Sequence, residues 1–75
     1  MTATTRKTNG AAIRALRDAL GVKQSVFATE CQISQAYLNN IEAGRRQPAH
    51  DVTVRIAARL GVTLDAITYP AEVAA

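Results

Sequence analysis

The chain has 75 residues, which is enough for one domain with one core and excludes a deep cleft between two lobes. Hydrophobic residues make up 48% of the sequence but aromatic residues only 4%, so the core must be built from aliphatic side chains, which favour helices. The formal net charge of +3 fits a nucleic-acid partner.

The sequence carries no signal for export or for a membrane partner. Its first residues lack the apolar segment of a signal peptide, and no apolar run approaches the length of a membrane span. The single cysteine, Cys31, cannot form an internal disulfide and is expected to be a small core residue. We therefore expect a cytoplasmic protein.

Two helical segments are predicted in the first half of the chain. Residues 1–8 are polar and rich in threonine, and we expect a flexible N-terminal arm. A helix follows over about 10–20, with Asn9 as its N-cap and Gly21 as its stop. Its apolar residues recur at helical spacing: Ile13, Leu16 and Leu20. A second, short helix is predicted over 24–31, with a buried side formed by Val26, Phe27 and Cys31.

Three more helices are predicted in the second half. One begins after Ser34 and runs to Ala43, so it follows the second helix after a tight turn. Another covers about 50–60 and ends at Gly61, and a last short helix begins at Thr63. Its apolar residues are Leu64 and Ile67, and Pro70 ends it. No strand pattern is present.

These elements predict an all-α fold, a compact bundle of five helices over residues 9–69 followed by a short tail over 70–75. One histidine and one cysteine cannot supply a zinc site, so no metal is expected. The sequence also lacks a glycine-rich phosphate loop, a nucleophile elbow and a pair of acids, so we expect no cofactor, no small-molecule substrate and no enzyme activity.

The third helix has a polar and uncharged face opposite Leu38 and Ile41. Its residues are Gln35, Ala36, Asn39 and Asn40. Glutamine and asparagine amides pair in two-point fashion with adenine, and an alanine contacts a thymine methyl. A merely solvated face would more often carry Glu and Lys. Because a single helix fits the major groove, this helix is predicted to read DNA bases.

Five spaced segments carry a resemblance to a known family: Ile13–Arg17, Gly21–Gln24, Ile33–Leu38, Ile41–Pro48 and Ile56–Val62. They resemble the Cro/C1-type helix-turn-helix family, also called XRE-like, over about residues 12–68. The resemblance implies a lambda-repressor-like fold and a transcription regulator, more often a repressor, that binds double-stranded DNA.

The resemblance also implies roles for single residues. The base-reading positions are Gln35, Ala36 and Asn40, and Asn39 shares their face. The phosphate-binding positions are Gln24, Tyr37, Arg45 and Arg46. A structural ion pair is implied between Arg17 and Glu42. Plainer roles stay open: Ala36 as a spacer, Tyr37 as a packing residue, and the two loop arginines as solvated side chains.

The family pattern is broken at a few positions. Gln32 stands where a glycine is usual at the turn, and it would be strained if its φ is positive. Lys23 replaces a common serine or threonine cap. His50 and Thr53 replace large apolar residues, which bears on the packing of the fourth helix.

The proposed partners are DNA and a second copy of the chain. A homodimer would place its third helices in successive major grooves of a pseudo-palindromic operator. Dimer contacts are expected after the fourth helix, from Val62, Leu64, Ile67 and Tyr69. The arm residues Arg6 and Lys7 either reach DNA or belong to a disordered tail. The alternative is a protein-interaction module, such as an antitoxin or an adaptor, with DNA binding secondary.

Overall fold

A computed structural model describes residues 2–74 of the chain, with the side chains of residues 6–70. Its elements in chain order are strand β1 (Thr2–Thr8), helices α1 (Gly10–Ala19), α2 (Gln24–Glu30), α3 (Gln35–Glu42) and α4 (His50–Leu60), a 3₁₀ helix (Leu64–Ile67) and strand β2 (Thr68–Ala74). Among these described elements, no helix has the length and hydropathy that a membrane span needs.

Local capping explains where the helices begin and end. Asn9 Oδ1 accepts a hydrogen bond from the backbone N–H of Ala12 at 3.1 Å and so caps α1. Ser34 Oγ accepts from the N–H of Tyr37 at 3.0 Å and caps α3 in the same way. α4 ends at Gly61, whose φ of 73° is left-handed and free of strain only for glycine.

The all-α, five-helix prediction is wrong in two respects. The fifth helix is a single 3₁₀ turn, and residues 2–74 include two strands. β1 and β2 pair antiparallel, with Thr8 opposite Thr68 and Thr2 opposite Ala74. The segment expected to be a flexible arm is therefore a strand, and the predicted tail lies mostly in its partner. This ribbon contacts the helices little, so it lacks the alternation of apolar residues that reveals a half-buried strand.

The core lies between the four helices and the 3₁₀ helix. Its largest fully buried side chains are Phe27, Ile13, Leu38, Ile41, Ile56, Ile67 and Cys31. Val26, which was predicted to be buried, is 49% exposed, so that prediction is wrong. Successive helix positions are turned by about 100°, and Phe27 already occupies the inward direction on α2.

The start of α1 lies directly against the end of α3. A Cβ atom added to Gly10 would overlap the carbonyl oxygen of Ile41 and would lie 2.9 Å from that of Glu42. Only glycine permits this approach. The contact fixes α1 beside α3, and about two turns further along α1 the side chain of Arg17 faces Glu42.

Candidate nucleic-acid interface

α2 and α3 are joined by a tight turn. Gln32 occupies it with a φ of 63°, the only positive φ of a non-glycine residue among the residues the structure describes. The N–H of Ile33 then bonds to Ala28 O at 3.0 Å, which closes the turn. A left-handed non-glycine residue costs roughly 1–2 kcal/mol, so the turn is held by the packing around it.

The outer face of α3 is open to solvent. Leu38 and Ile41 are fully buried against the core. On the other side of the helix, Gln35, Ala36 and Asn39 are exposed and Asn40 is half-buried. The uncharged amide face predicted from the sequence is therefore available to a partner.

A buried ion pair stands behind this face. Arg17 Nε donates to Glu42 Oε2 at 2.7 Å and Arg17 Nη2 donates to Glu42 Oε1 at 3.0 Å. The side chains are 9% and 3% exposed, and Arg17 Nη1 also donates to Val22 O at 2.8 Å. The hydrogen bond to Glu42 raises the pKa of Arg17, although burial opposes the shift. The guanidinium of Arg17 thus compensates the negative charge of the Glu42 carboxylate, which would otherwise repel a DNA phosphate.

The ion pair orients two amides on the surface. Gln24 Nε2 donates to Glu42 Oε1 at 3.1 Å, and Gln35 Nε2 donates to Gln24 Oε1 at 3.4 Å. A carboxylate only accepts, so Gln24 must present its nitrogen to Glu42 and its oxygen to Gln35. Gln35 keeps one N–H and its oxygen, which are the two groups that a two-point contact with adenine requires.

Asn40 is held by a shorter bond than Asn39, whose Oδ1 accepts from Gln24 Nε2 at 3.4 Å. The Oδ1 of Asn40 accepts from Arg45 Nε at 2.9 Å, and its backbone oxygen accepts from the N–H of Arg45 at 2.9 Å. Because a guanidinium only donates, the amide oxygen of Asn40 is held by Arg45. Asn40 can offer N–H donors outward, but a two-point adenine contact would require Arg45 to release it.

The loop after α3 carries two positive charges. Arg45 and Arg46 are exposed. The Arg46 guanidinium lies 5.6 Å from the centroid of the Tyr37 ring, within the range of a cation–π contact. Tyr37 itself is half-buried against the core. The Tyr37 ring therefore packs against the core and also holds Arg46 at the edge of the amide face of α3.

An open cleft of about 300 Å³ lies beside the amide face. Its lining residues are Arg14, Arg17, Gln24, Asn39, Glu42 and Ala43. The side chain of Arg14 is 69% exposed and its contact with Asp18 is long, at 3.9 Å. Sequence reasoning assigned Arg14 no role. The sequence feature that could have indicated a role is the spacing of three residues between Arg14 and Arg17, which places both on the same side of α1.

The residues predicted to join two copies do not form one exposed surface. Ile67 is fully buried, so it cannot be a dimer contact while the domain is folded. Val62 and Leu64 are half-buried and pack against the core, whereas Tyr69 on β2 is 46% exposed. The described residues contain no group of three His, Cys, Asp or Glu side chains that could hold a metal ion.

Comparison with known proteins places this geometry in a family. A helix-turn-helix family model matches residues 13–67. The solved structure of the clp gene regulator ClgR from Corynebacterium glutamicum is similar, with a TM-score of 0.71 and 29% identity over 73% of this chain. The match spans only 58% of the ClgR chain. A search of curated protein sequences gave no significant match.

Two further structures share the fold. The restriction-modification controller protein C.AhdI from Aeromonas hydrophila has a TM-score of 0.73 at 24% identity, over 76% of this chain and 86% of its own. The P22 c2 repressor, solved with a synthetic operator, has a TM-score of 0.72 at 21% identity, over 75% and 85% of the two chains. With the family model covering most of the chain, the protein belongs to the Cro/C1-type (XRE-like) helix-turn-helix family of DNA-binding transcription regulators.

Proposed function

We propose that the protein regulates transcription by binding double-stranded DNA in a sequence-specific way, with α3 in the major groove. The observation that carries this proposal is the exposed amide face of α3 with a buried and neutralised carboxylate behind it. B-form DNA accepts one helix in its major groove, and amide side chains distinguish bases there. A surface built only for solubility would need no ion pair to orient its glutamines.

The side chains divide into two groups by what they can reach. Gln35 is the best base reader, because its amide keeps both a donor and an acceptor. Ala36 and Asn39 flank it on the same exposed face. The phosphate contacts come from Arg14 and the loop arginines Arg45 and Arg46. Gln24 joins them when its Nε2 releases Asn39 Oδ1, which accepts from it at 3.4 Å. Phosphate contacts fix the position of the protein, whereas base contacts select the sequence.

The finer proposal is a dimer that acts as a repressor. The P22 c2 repressor has this fold and was solved with an operator, so the same docking is available to this chain. Two copies on one side of DNA would read half-sites about 10 base pairs apart. Repression requires only that the bound dimer covers a promoter.

The test is selection of binding sites from a random DNA pool, followed by titration of the enriched sequence. We expect a pseudo-palindromic motif with two half-sites and an affinity that falls steeply with salt. Arg46→Ala should weaken binding to all sequences and reduce the salt slope by about one unit. Arg59→Ala is the matched control, since Arg59 contacts Glu30 at the far end of α2 from Gln24.

If the pool yields no motif, the proposed function is wrong. A tight stoichiometric complex with another protein would then support the interaction module as the alternative.

A further inference from the structure

The ribbon of β1 and β2 has two outer edges, and the backbone at its base shows which groups point outward. It is a two-stranded sheet, so within residues 2–74 each strand has one edge without a strand neighbour. The N–H of Thr8 donates to Gln47 Oε1 at 2.9 Å, and Gln47 Nε2 donates to Thr8 O at 3.4 Å. Both backbone polar groups of Thr8 therefore point away from β2.

The alternation of an antiparallel ladder extends this result along β1. Residues whose backbone groups point outward alternate with residues that bond to the neighbouring strand. Because Thr8 points outward, the N–H and C=O groups of Arg6, Thr4 and Thr2 also lie on the outer edge of β1. The register pairs Arg6 with Pro70, so Pro70 lies at an outward position of β2, where its missing N–H breaks no ladder bond.

The two edges are not equally open. On β2, Pro70 offers no donor, and Arg6 Nη2 donates to the carbonyl oxygen of Thr68 at 3.2 Å. Proteins protect exposed edges with proline and with charge, and only β2 carries the proline. The one charge on the outward positions of β1, Arg6, is paired with Asp65 at 3.4 Å. Beyond Thr8, whose groups Gln47 occupies, the outer edge of β1 therefore has less protection than that of β2, and it is the edge that can accept another strand.

We propose that this strand is β1 of a second copy, related by a two-fold axis through Thr4. Identical antiparallel strands are self-complementary about such an axis, and the product is a four-stranded sheet with the two β1 strands at its centre. Thr4 then lies opposite Thr4, and Arg6 lies opposite Thr2 of the other copy. This register keeps the two Arg6 residues apart and stops before Thr8, whose groups Gln47 already occupies.

This inference deepens the proposed function by naming the surface that joins the two copies, and it does not itself require DNA. It replaces the contacts expected after α4, of which Ile67 is buried. Since only Thr2, Thr4 and Arg6 of each copy contribute, the dimer is weak and its population depends on protein concentration.

The experiment uses two proline variants, one in each strand, at two residues that pair with each other. Thr4 and Glu72 pair in the register, and both have outward backbone groups. Thr4→Pro removes a donor from the outer edge of β1, and Glu72→Pro removes one from the outer edge of β2. Neither removes a bond between β1 and β2, and circular dichroism checks that both variants fold. Sedimentation velocity is run from about 1 µM to about 1 mM without DNA, the range in which weak association is measured.

We expect the wild type to dimerise and Thr4→Pro to weaken the dimer at least about tenfold, because the two-fold axis makes the dimer lose two hydrogen bonds. Glu72→Pro should change the dissociation constant of the dimer by less than about threefold, because the outer edge of β2 makes no hydrogen bond between the two copies. A wild type that stays monomeric, a Thr4→Pro variant that dimerises normally, or an equal loss in both variants would overturn the inference. A monomer that still selects a DNA motif would leave the proposed function standing, whereas a dimer that selects none would remove the proposed function alone.

Discussion

Removing Glu42 should be far more damaging than removing a similar acid from the surface. The Arg17 side chain is 9% exposed and loses its buried partner in Glu42→Ala, so it keeps only Asp18, a carboxylate that is 61% exposed and 3.4 Å from Arg17 Nη1. Breaking a buried ion pair from one side costs about 3–5 kcal/mol, because the remaining charge stays buried without a buried partner of opposite sign. For a domain of 75 residues, whose whole stability is about 4–11 kcal/mol, this loss is a large fraction.

The assay is thermal and urea unfolding of Glu42→Ala beside a matched control. Glu30 pairs with Arg59 at 3.0 Å, but these side chains are 40% and 33% exposed. An exposed pair contributes about 0–1 kcal/mol, so Glu30→Ala should lower the melting temperature by a few degrees at most. Glu42→Ala should lower it by at least about 12 °C at roughly 4 °C per kcal/mol.

A double variant separates the charge effect from loss of packing. Arg17→Met combined with Glu42→Leu removes both charges and should be more stable than Glu42→Ala, because no unpaired charge remains. If it folds, it should bind DNA more weakly than the wild type, since Gln24 no longer has the carboxylate that orients its amide. If Glu42→Ala and Glu30→Ala lowered the melting temperature by equal, small amounts, the reasoning would be refuted.

Three further predictions test the backbone and the core. Gly10→Ala should destabilise the domain by about 1–3 kcal/mol in urea unfolding, because the added Cβ overlaps Ile41 O, whereas helix propensity alone predicts a gain. Gln32→Gly should raise the unfolding free energy by about 0.5–1 kcal/mol, since it relieves a φ of 63°; an unchanged value would show that the turn is unstrained. Burial raises the pKa of the Cys31 thiol, so iodoacetamide should modify the native protein much more slowly than the urea-unfolded protein. The thiol's contribution to stability should be present below pH about 8.5 and should be lost as the pH rises through the folded pKa. Equal modification rates in the two states would contradict the buried thiol.

The helices were predictable because their signals are local. Asn9 and Ser34 cap the helices that follow them, and Gly61 ends α4, and each acts within one turn of its own position. The amide face of α3 was predictable for the same reason, since its periodicity lies within eight residues. The family resemblance added the positions of Arg17 and Glu42 on different helices, which periodicity alone does not join.

The ribbon and the fine geometry of the site were not predictable, because they depend on residues far apart in the chain. Asn9 N–H bonds to Ile67 O at 2.7 Å, which brings the two ends of the chain together, and no local pattern reports such a contact. The bond between Asn40 and Arg45 is short-range, but it depends on the path of the loop rather than on composition. Val26 was misplaced because periodicity in a helix of seven residues leaves its inward direction uncertain by one position.

The most direct test of the central claim is a comparison of the DNA preferences of wild type and Gln35→Ala, each measured by selection from the same random pool. If α3 reads bases through Gln35, the variant should lose its preference at one position in each half-site, by about 1–3 kcal/mol, and keep the rest of the motif. An unchanged motif, or a uniform weakening at all positions like that expected for Arg46→Ala, would contradict base reading by this residue.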